Sequence, residues 1–286
     1  MRRHGLLIAI ALLLAGSAMA DDTAIRPDVV YGHKDGLALT FDVLTPPNPN
    51  GAAVLWLQSG GWYSNYSPPQ NKLEGSQPLL DAGITVLIVR HGSAPKYAVP
   101  DAVADVRRCV RFVHMTAEDL KVDPQRLGVL GGSAGGHLTL MLATTGDDGD
   151  PQAEDPVLRA SSRINCGVSY YPPTDLRGWT TNPPAEIAKH DLLKPPLRFD
   201  AELEDDVSPL LQVTSDDAPV LMIHGDMDAL VPIAHSQNII PKFEEANVGS
   251  ELITVVGAKH GYSEEQTKTI VVPAMVNWFK QHLSAN

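Results

Sequence analysis

Residues 127–138 read Leu-Gly-Val-Leu-Gly-Gly-Ser-Ala-Gly-Gly-His-Leu, with Ser133 at the centre of a Gly-x-Ser-x-Gly motif. The short apolar run 127–130 predicts a buried strand, and the run 138–143 predicts a helix. A serine between a strand and a helix lies on a sharp turn, where the neighbouring side chains must be small. The neighbours that leave this room are Gly131, Ala134, Gly135 and Gly136. We therefore interpret Ser133 as a candidate nucleophile.

A glycine-rich turn before a helix also binds phosphate groups, because the first N–H groups of the helix point at the ligand. The phosphate-binding loop continues its glycines with a Lys-Ser or Lys-Thr pair. Here His137 and Leu138 follow the glycines instead. The phosphate interpretation is thus the weaker one, and a nucleophilic serine requires a base and an acid elsewhere in the chain.

The composition is that of a globular chain with a strong negative charge. Of the 286 residues, 43% are hydrophobic and 20% are charged, and the formal net charge is −12. Such a length accommodates one large α/β domain or two small ones. The acidity argues against nucleic acid and anionic membrane surfaces as partners.

Residues 1–20 have the pattern of a bacterial signal peptide. Two arginines precede an apolar stretch at 6–14, and an Ala-x-Ala cleavage site ends at Ala20. Cleavage would remove both arginines and leave a domain of residues 21–286 with a net charge of −14. The apolar stretch is shorter than the apolar helix that is needed to span a membrane. We expect a secreted or periplasmic protein without a membrane anchor.

Cys109 and Cys166 are the only cysteines. Both are expected to be buried as small hydrophobic side chains, and a bridge between them stays open. No cluster of His, Cys and carboxylate residues has the spacing of metal ligands, so neither a metal nor an organic cofactor is expected. The sequence leaves the oligomeric state open.

Strand-like and helix-like runs alternate, which predicts a mostly parallel sheet with helices on both faces. The strands 29–33 and 37–44 predict an antiparallel edge at the N-terminal end. Residues 172–217 are rich in proline and acidic side chains and predict a small cap insertion over the sheet, with a solvated linker as the alternative. The other predicted strands are 52–57, 84–89, 127–130, 165–170, 219–223 and 251–256. The predicted helices are 77–82, 101–114, 138–143, 233–245 and 268–283.

Candidates for the base and the acid follow two of the later strands. A nucleophilic serine needs a histidine base held by a carboxylate, and after a strand–serine–helix turn the chain order is Ser, Asp, His. Asp228 follows the strand 219–223, and His260 follows the strand 251–256. Because the carboxyl ends of parallel strands share one edge of the sheet, these side chains are expected to converge on Ser133.

Other polar residues near this edge fit the two roles less well. Asp226 is suited to capping its turn, so Asp228, which lies further into the loop, is favoured as the acid. His224 ends a strand and is expected to pack or to bind backbone. His137 is carried along its helix away from the serine, and His91 precedes the serine, which is the wrong chain order.

A tetrahedral intermediate needs an oxyanion hole of backbone N–H groups. One N–H is expected from Ala134, directly after the candidate nucleophile. The others are expected from Gly60 and Gly61, in a glycine-rich loop after an early strand. Trp62 and Tyr63 follow and are candidates for the substrate pocket wall, with ordinary packing as the alternative.

Together these motifs resemble those of the α/β-hydrolase superfamily, in its secreted esterase branch related to hormone-sensitive lipase and to feruloyl and acetylxylan esterases. The resemblance begins at about residue 28 and runs to the end of the chain. It implies the α/β-hydrolase fold, no cofactor, and a small-molecule or carbohydrate ester as substrate. The motifs that carry it are Gly-Gly-Ser-Ala-Gly-Gly-His-Leu, His-Gly-x-x-Asp-x-x-Val-Pro, Ala-x-His-Gly-Tyr and Asp-Pro-x-Arg-Leu.

The chain departs from the family pattern in the oxyanion loop. Relatives begin this loop with His-Gly-Gly, whereas here Gln58 and Ser59 precede the glycines. The support of the loop is therefore expected to differ while its donors are kept. In the segment 171–175, which resembles the family's approach to the cap, Asp175 is expected to be structural.

The sequence thus predicts a serine carboxylic-ester hydrolase that works through an acyl-enzyme. Ser133 would attack, His260 would act as base and then as acid, and Asp228 would orient the imidazole. Two alternatives are a peptidase resembling the catalytic domain of prolyl oligopeptidases and a non-catalytic binding protein of the same fold. Prolyl oligopeptidases carry an additional large propeller domain, for which the chain is too short. Non-catalytic proteins of this fold typically lack a triad residue, whereas all three candidates are present here.

Overall fold

A computed structural model describes residues 23–285, and the signal-peptide pattern at 1–20 lies outside this range. An eight-stranded sheet runs through the described part of the chain. Its strands are β1 (Ala24–Lys34), β2 (Leu37–Thr45), β3 (Ala53–Leu57), β4 (Thr85–Val89), β5 (Leu127–Gly132), β6 (Cys166–Tyr170), β7 (Val220–Gly225) and β8 (Ser250–Val255).

The strands lie in the order β1-β2-β4-β3-β5-β6-β7-β8. The pairs β1–β2 and β2–β4 are antiparallel, and all pairs from β4 to β8 are parallel. The central strands are buried on both faces. Their sequences are therefore continuous apolar runs, without alternation of apolar and polar residues. The prediction of a mostly parallel sheet with an antiparallel N-terminal edge is confirmed.

Helices cover both faces of the sheet. One face packs against α2, α4 and α7, and the other packs against α1 and α9. Every residue of α4 is buried, as expected for a helix that is apolar on all sides. The helices are α1 (Leu73–Asp81), α2 (Val99–Met115), α3 (Ala117–Leu120), α4 (Ala134–Thr144), α5 (Ala185–Ala188), α6 (Pro209–Gln212), α7 (Ala234–Glu245), α8 (Glu264–Gln266) and α9 (Val272–His282).

The residues between β6 and β7 carry only short helical pieces. We call residues 171–219 the β6–β7 segment; it contains α5, α6 and three short 3₁₀ turns. These turns span Asp191–Leu193, Pro195–Leu197 and Ala201–Leu203. The segment supplies Trp179, Ile187 and Leu193 to the wall of the cavity that contains Ser133. The proline-rich composition thus corresponds to ordered short turns and not to a solvated linker.

Several predicted element bounds were wrong by a few residues. The first strand begins at Ala24, because a register shift after Arg26 lets the edge pairing continue beyond the apolar run. The last predicted helix is divided: a π-helical turn spans Thr267–Val271, and α9 begins only at Val272. Pro273 has no N–H to donate to the preceding turn, which disfavours regular α-helix at this point.

The two cysteines lie on opposite faces of the sheet, and both are buried and free. Cys109 packs with the cluster around α2, whereas Cys166 packs with the cluster around α9. A bridge between them is therefore impossible in this fold. In the described range, none of the helices has the length and apolar character that crossing a bilayer requires.

Candidate active site

Ser133 lies on the turn between β5 and α4 with φ of 54° and ψ of −119°. A positive φ is strained for a residue with a Cβ, so the surrounding structure must impose it. The Ser133 N–H donates to the Tyr170 carbonyl at 2.9 Å. The backbone of Gly135 also packs so closely against Gly131 that a Cβ at residue 131 would clash with the Gly135 carbonyl group. The turn therefore holds the serine side chain outside regular structure.

The predicted triad residues are brought together. The Ser133 hydroxyl donates to His260 Nε2 at 2.9 Å, and His260 Nδ1 donates to Asp228 Oδ2 at 2.7 Å. The carboxylate can only accept, so it fixes the proton on Nδ1 and leaves Nε2 free to accept. The imidazole is thus in the tautomer that a general base for a serine hydroxyl requires.

Asp228 is enclosed by hydrogen-bond donors. Its Oδ1 accepts from the N–H groups of Leu230 and Val231, each at 2.9 Å. Burial by itself raises the pKa of Asp228, but hydrogen bonds from His224, His260 and this backbone outweigh burial and hold the pKa well below its usual range. The carboxylate therefore stays ionised beside the imidazole.

The residues that competed for these roles have other partners. Asp226 Oδ1 accepts from the Gly257 N–H at 2.7 Å, which is the turn-capping role expected from the sequence. His224 Nδ1 meets Ser236 Oγ, and its Nε2 donates to the Val231 carbonyl at 2.8 Å. Its Nε2 also lies 3.4 Å from Asp228 Oδ2, so His224 supports the acid without reaching the serine.

The oxyanion loop differs from the expectation at one donor. The Gly60 N–H donates to the Tyr63 carbonyl at 2.9 Å, so it is already satisfied within the turn. Within residues 23–285, neither the Gly61 nor the Ala134 N–H donates to another protein group. A short bridge between Gly60 and Tyr63 thus occupies one of the three predicted donors, and the oxyanion role of Gly61 and Ala134 stays a prediction.

A hydrogen bond between the half-buried Ser59 and the buried His91 supports this loop. His91 Nδ1 donates to the Gly92 carbonyl at 2.7 Å, which leaves Nε2 as an acceptor for the Ser59 hydroxyl at 2.8 Å. Burial lowers the pKa of His91 to about 4, so the ring is neutral at ordinary pH. The Ser59 carbonyl also accepts from the Gly135 N–H. Ser59 therefore ties the oxyanion loop both to His91 and to the helix that follows Ser133.

We expect Ser59→Ala to lower kcat about tenfold and to leave KM nearly unchanged, because loosened oxyanion donors act mainly in the transition state. Steady-state kinetics with p-nitrophenyl acetate check this split. Ser67→Ala is the matched control, since the Ser67 hydroxyl makes only a 3.5 Å contact with Asn71. Equal kcat values for both variants would contradict a supporting role for Ser59.

Trp62 joins the oxyanion loop to the β6–β7 segment. Its indole N–H donates to His137 Nδ1 at 3.2 Å, and His137 Nε2 donates to the Val207 carbonyl at 2.7 Å. Trp62 itself has a φ of 60°, a second strained position beside the cleft. His137 thus lies away from the Ser133 hydroxyl, as the sequence predicted, and it connects the loop, α4 and the β6–β7 segment.

We expect the free energy of unfolding to fall as the pH falls from 6.5 to 4, because burial lowers the pKa of His137 from 6.5 to about 4. In this interval the unfolded chain binds a proton that the folded chain does not, which costs up to about 1.4 kcal/mol per pH unit for each such histidine. Burial also lowers the pKa values of His91 and His235 to about 4. The free energy of unfolding, measured by urea unfolding at several pH values in this range, should therefore depend less steeply on pH in His137→Gln than in the parent protein. An unchanged pH dependence would refute the lowered pKa of His137.

The site opens into a cavity of about 390 Å³. Trp62 lines it and is 3% exposed, whereas Tyr63 lines a separate outer cavity. Sequence reasoning missed Tyr171, whose ring centroid lies 4.7 Å from that of His260. Its position directly after β6 was a usable signal, because β6 is parallel to β5 and β7 and ends at the same edge of the sheet. Other residues line the cavity although no local sequence pattern indicated them: Pro173, Trp179, Ile187, Leu193, Leu230 and Val231.

Asp175 forms an ion pair with Arg177, and this pair stabilises the turn. Trp179, two residues beyond Arg177, lines the cavity. Among residues 23–285, no group of three or more His, Cys, Asp or Glu side chains is placed to hold a metal ion.

Two curated relatives of the chain are named as ester hydrolases. Ethyl acetate hydrolase of Pseudomonas putida is 30% identical over 95% of this chain and 86% of its own length. Probable carboxylic ester hydrolase LipM of Mycobacterium tuberculosis is 25% identical over 79% of this chain and 53% of its own length. The chain thus spans about half the length of this mycobacterial relative.

Solved structures share the fold. A truncated carbohydrate esterase from gut microbiota superposes with a TM-score of 0.77 at 22% identity, covering 94% of this chain and 99% of that one. An acetyl ester-xyloside bifunctional hydrolase from Caldicellulosiruptor lactoaceticus has a TM-score of 0.74 at 23% identity, covering 93% and 98%. At these identities the likeness establishes the α/β-hydrolase fold.

The family itself is established by the profile for BD-FAE, which matches residues 41–243. This span contains the oxyanion loop, Ser133 and Asp228, and it is well over half of the chain. The protein therefore belongs to the BD-FAE family, a hormone-sensitive-lipase-like group of esterases within the α/β-hydrolase superfamily.

Proposed function

We propose that the protein hydrolyses carboxylic esters through an acyl-enzyme, with short-chain or carbohydrate-linked esters as its substrates. The observation that carries this proposal is the uninterrupted chain of hydrogen bonds from the Ser133 hydroxyl through His260 to Asp228. In the proposed reaction His260 Nε2 takes the hydroxyl proton as the oxygen attacks the ester carbonyl. The same imidazole then gives this proton to the leaving alcohol.

The charge of the tetrahedral intermediate would be stabilised by the N–H groups of Gly61 and Ala134. Ala134 begins α4, so its N–H is one of the unpaired donors at a helix N-terminus, where negative charge is favoured. Water would then attack the acyl-enzyme with His260 again as the base. No step of this reaction requires a metal or an organic cofactor.

The names of the two relatives described above support an ester as substrate. A carbohydrate esterase and an acetyl ester-xyloside bifunctional hydrolase among the structural relatives favour a carbohydrate-linked ester. Residues 1–20 further support export of the enzyme, on the basis of sequence alone.

The decisive test is labelling with an active-site fluorophosphonate followed by peptide mapping. A phosphonate on Ser133 alone is expected, because the reagent needs a serine activated by a neighbouring base. Modification at another serine and none at Ser133 would overturn the proposal. A panel of p-nitrophenyl esters, acetylated xylan, methyl ferulate and a prolyl anilide then separates esterase from peptidase activity.

A further inference from the structure

The cleft beside Ser133 is divided into two cavities. The inner cavity, of about 390 Å³, contains Ser133 and His260. The outer cavity, of about 470 Å³, contains neither of them. The residues that line both cavities are Gly60, Gly61, Leu193 and Leu230. These shared residues form the partition between the reacting atoms and the outer cavity.

Leu193 is the part of the partition that comes from the β6–β7 segment. It ends the short turn Asp191–Leu193, and its N–H donates to the His190 carbonyl at 2.9 Å. Its side chain lies directly on the oxyanion loop, because a Cβ on Gly61 would clash with Leu193 Cδ2. The side chain is half-buried and packs against the main hydrophobic core. It is therefore held in place and does not project freely into solvent.

The positions of the proton donor and the partition determine which part of an ester faces Leu193. The leaving oxygen must receive its proton from His260 Nε2, so the alcohol lies on the His260 side of the cleft. The carbonyl oxygen points at the N–H groups of Gly61 and Ala134. The acyl chain is then assigned to the side of Gly61, where Leu193 lies against this donor and borders the outer cavity.

We propose that Leu193 sets the length of the acyl chain that the enzyme accepts, by closing the inner cavity against the outer one. Short acyl groups end before this side chain, whereas a longer chain meets its Cδ atoms. Removing the side chain joins the two cavities and admits long acyl groups. This inference rests on the proposed ester hydrolysis, and it assigns the acyl specificity to one residue of the β6–β7 segment.

The test compares kcat/KM for p-nitrophenyl esters from acetate to decanoate in the parent protein, Leu193→Ala and Leu193→Val. The ratio of the octanoate value to the acetate value should rise about tenfold or more in Leu193→Ala, the discrimination that a few methylene groups provide in an apolar pocket. Leu193→Val, which removes one methylene group, should give an intermediate ratio. It also keeps the test decisive if the alanine variant does not fold.

Leu203→Ala is the matched control, because Leu203 ends a similar short turn in the same segment, is 38% exposed and lines neither cavity. Its ratio should equal that of the parent protein. An unchanged ratio in both Leu193 variants, with acetate hydrolysis retained, would overturn the role of Leu193 and leave the ester hydrolysis standing. Absence of ester hydrolysis in the parent protein, or full hydrolysis by Ser133→Ala, would instead overturn the proposed function.

Discussion

Replacing Ser133 with alanine should lower kcat for p-nitrophenyl acetate by about 10⁵- to 10⁶-fold. The variant loses the attacking oxygen, and neither His260 nor the oxyanion donors can substitute for it. Binding should change little, because Ser133 is one small part of a cavity wall formed largely by apolar side chains. Alanine also keeps the Cβ, so the strained turn is retained and the melting temperature should stay close to that of the parent protein.

Initial rates at saturating ester, with circular dichroism to verify folding, measure this effect. Ser284→Ala is the control for the substitution itself, since Ser284 is exposed beyond α9 and far along the chain from the site. A folded Ser133→Ala variant with the turnover of the parent protein would refute the mechanism. A residual rate above that of water alone is compatible with it, because the donors and the cavity would still bind the transition state.

The part of the site that could be predicted from the sequence is the part that follows from the topology of the sheet. Parallel strands place their carboxyl ends along one edge, so the residues in the loops that follow β5, β7 and β8 had to approach one another. Ser133, Asp228 and His260 occupy such positions, and the structure brings them within hydrogen-bond distance. The glycine pattern around the serine likewise follows from local sterics, which a single stretch of sequence determines.

The features that escaped prediction depend on contacts between distant segments. The bridge that occupies the Gly60 N–H depends on the turn geometry of the oxyanion loop, and the sequence shows only its glycines. The support for that loop comes from His91, which chain order had excluded as a base but which packs against Ser59. Leu193 lies in irregular turns without a hydrophobic period, so no repeat indicated that it reaches the oxyanion loop.

Replacing Asp228 with asparagine should lower kcat by about 10⁴-fold, the second large effect. The orientation of the amide follows from the structure. Oδ1 of Asp228 accepts from two backbone N–H groups, so the amide oxygen of asparagine must take this position. The amide nitrogen then faces His260 Nδ1 and donates to it. The imidazole proton is forced onto Nε2, which can no longer accept the Ser133 hydroxyl proton.

Asp226→Asn is the matched control for the same change of charge in the same loop. Asp226 Oδ1 accepts from the Gly257 N–H, and an amide oxygen makes the same contact, so kcat should stay close to that of the parent protein. Measuring kcat for both variants therefore separates loss of the tautomer from loss of a negative charge near the site. If Asp226→Asn abolished turnover while Asp228→Asn retained it, the acid would be Asp226 and the observed His260–Asp228 hydrogen bond would have no catalytic role. The expected contrast arises because only Asp228 holds the proton on the imidazole nitrogen that faces away from the serine.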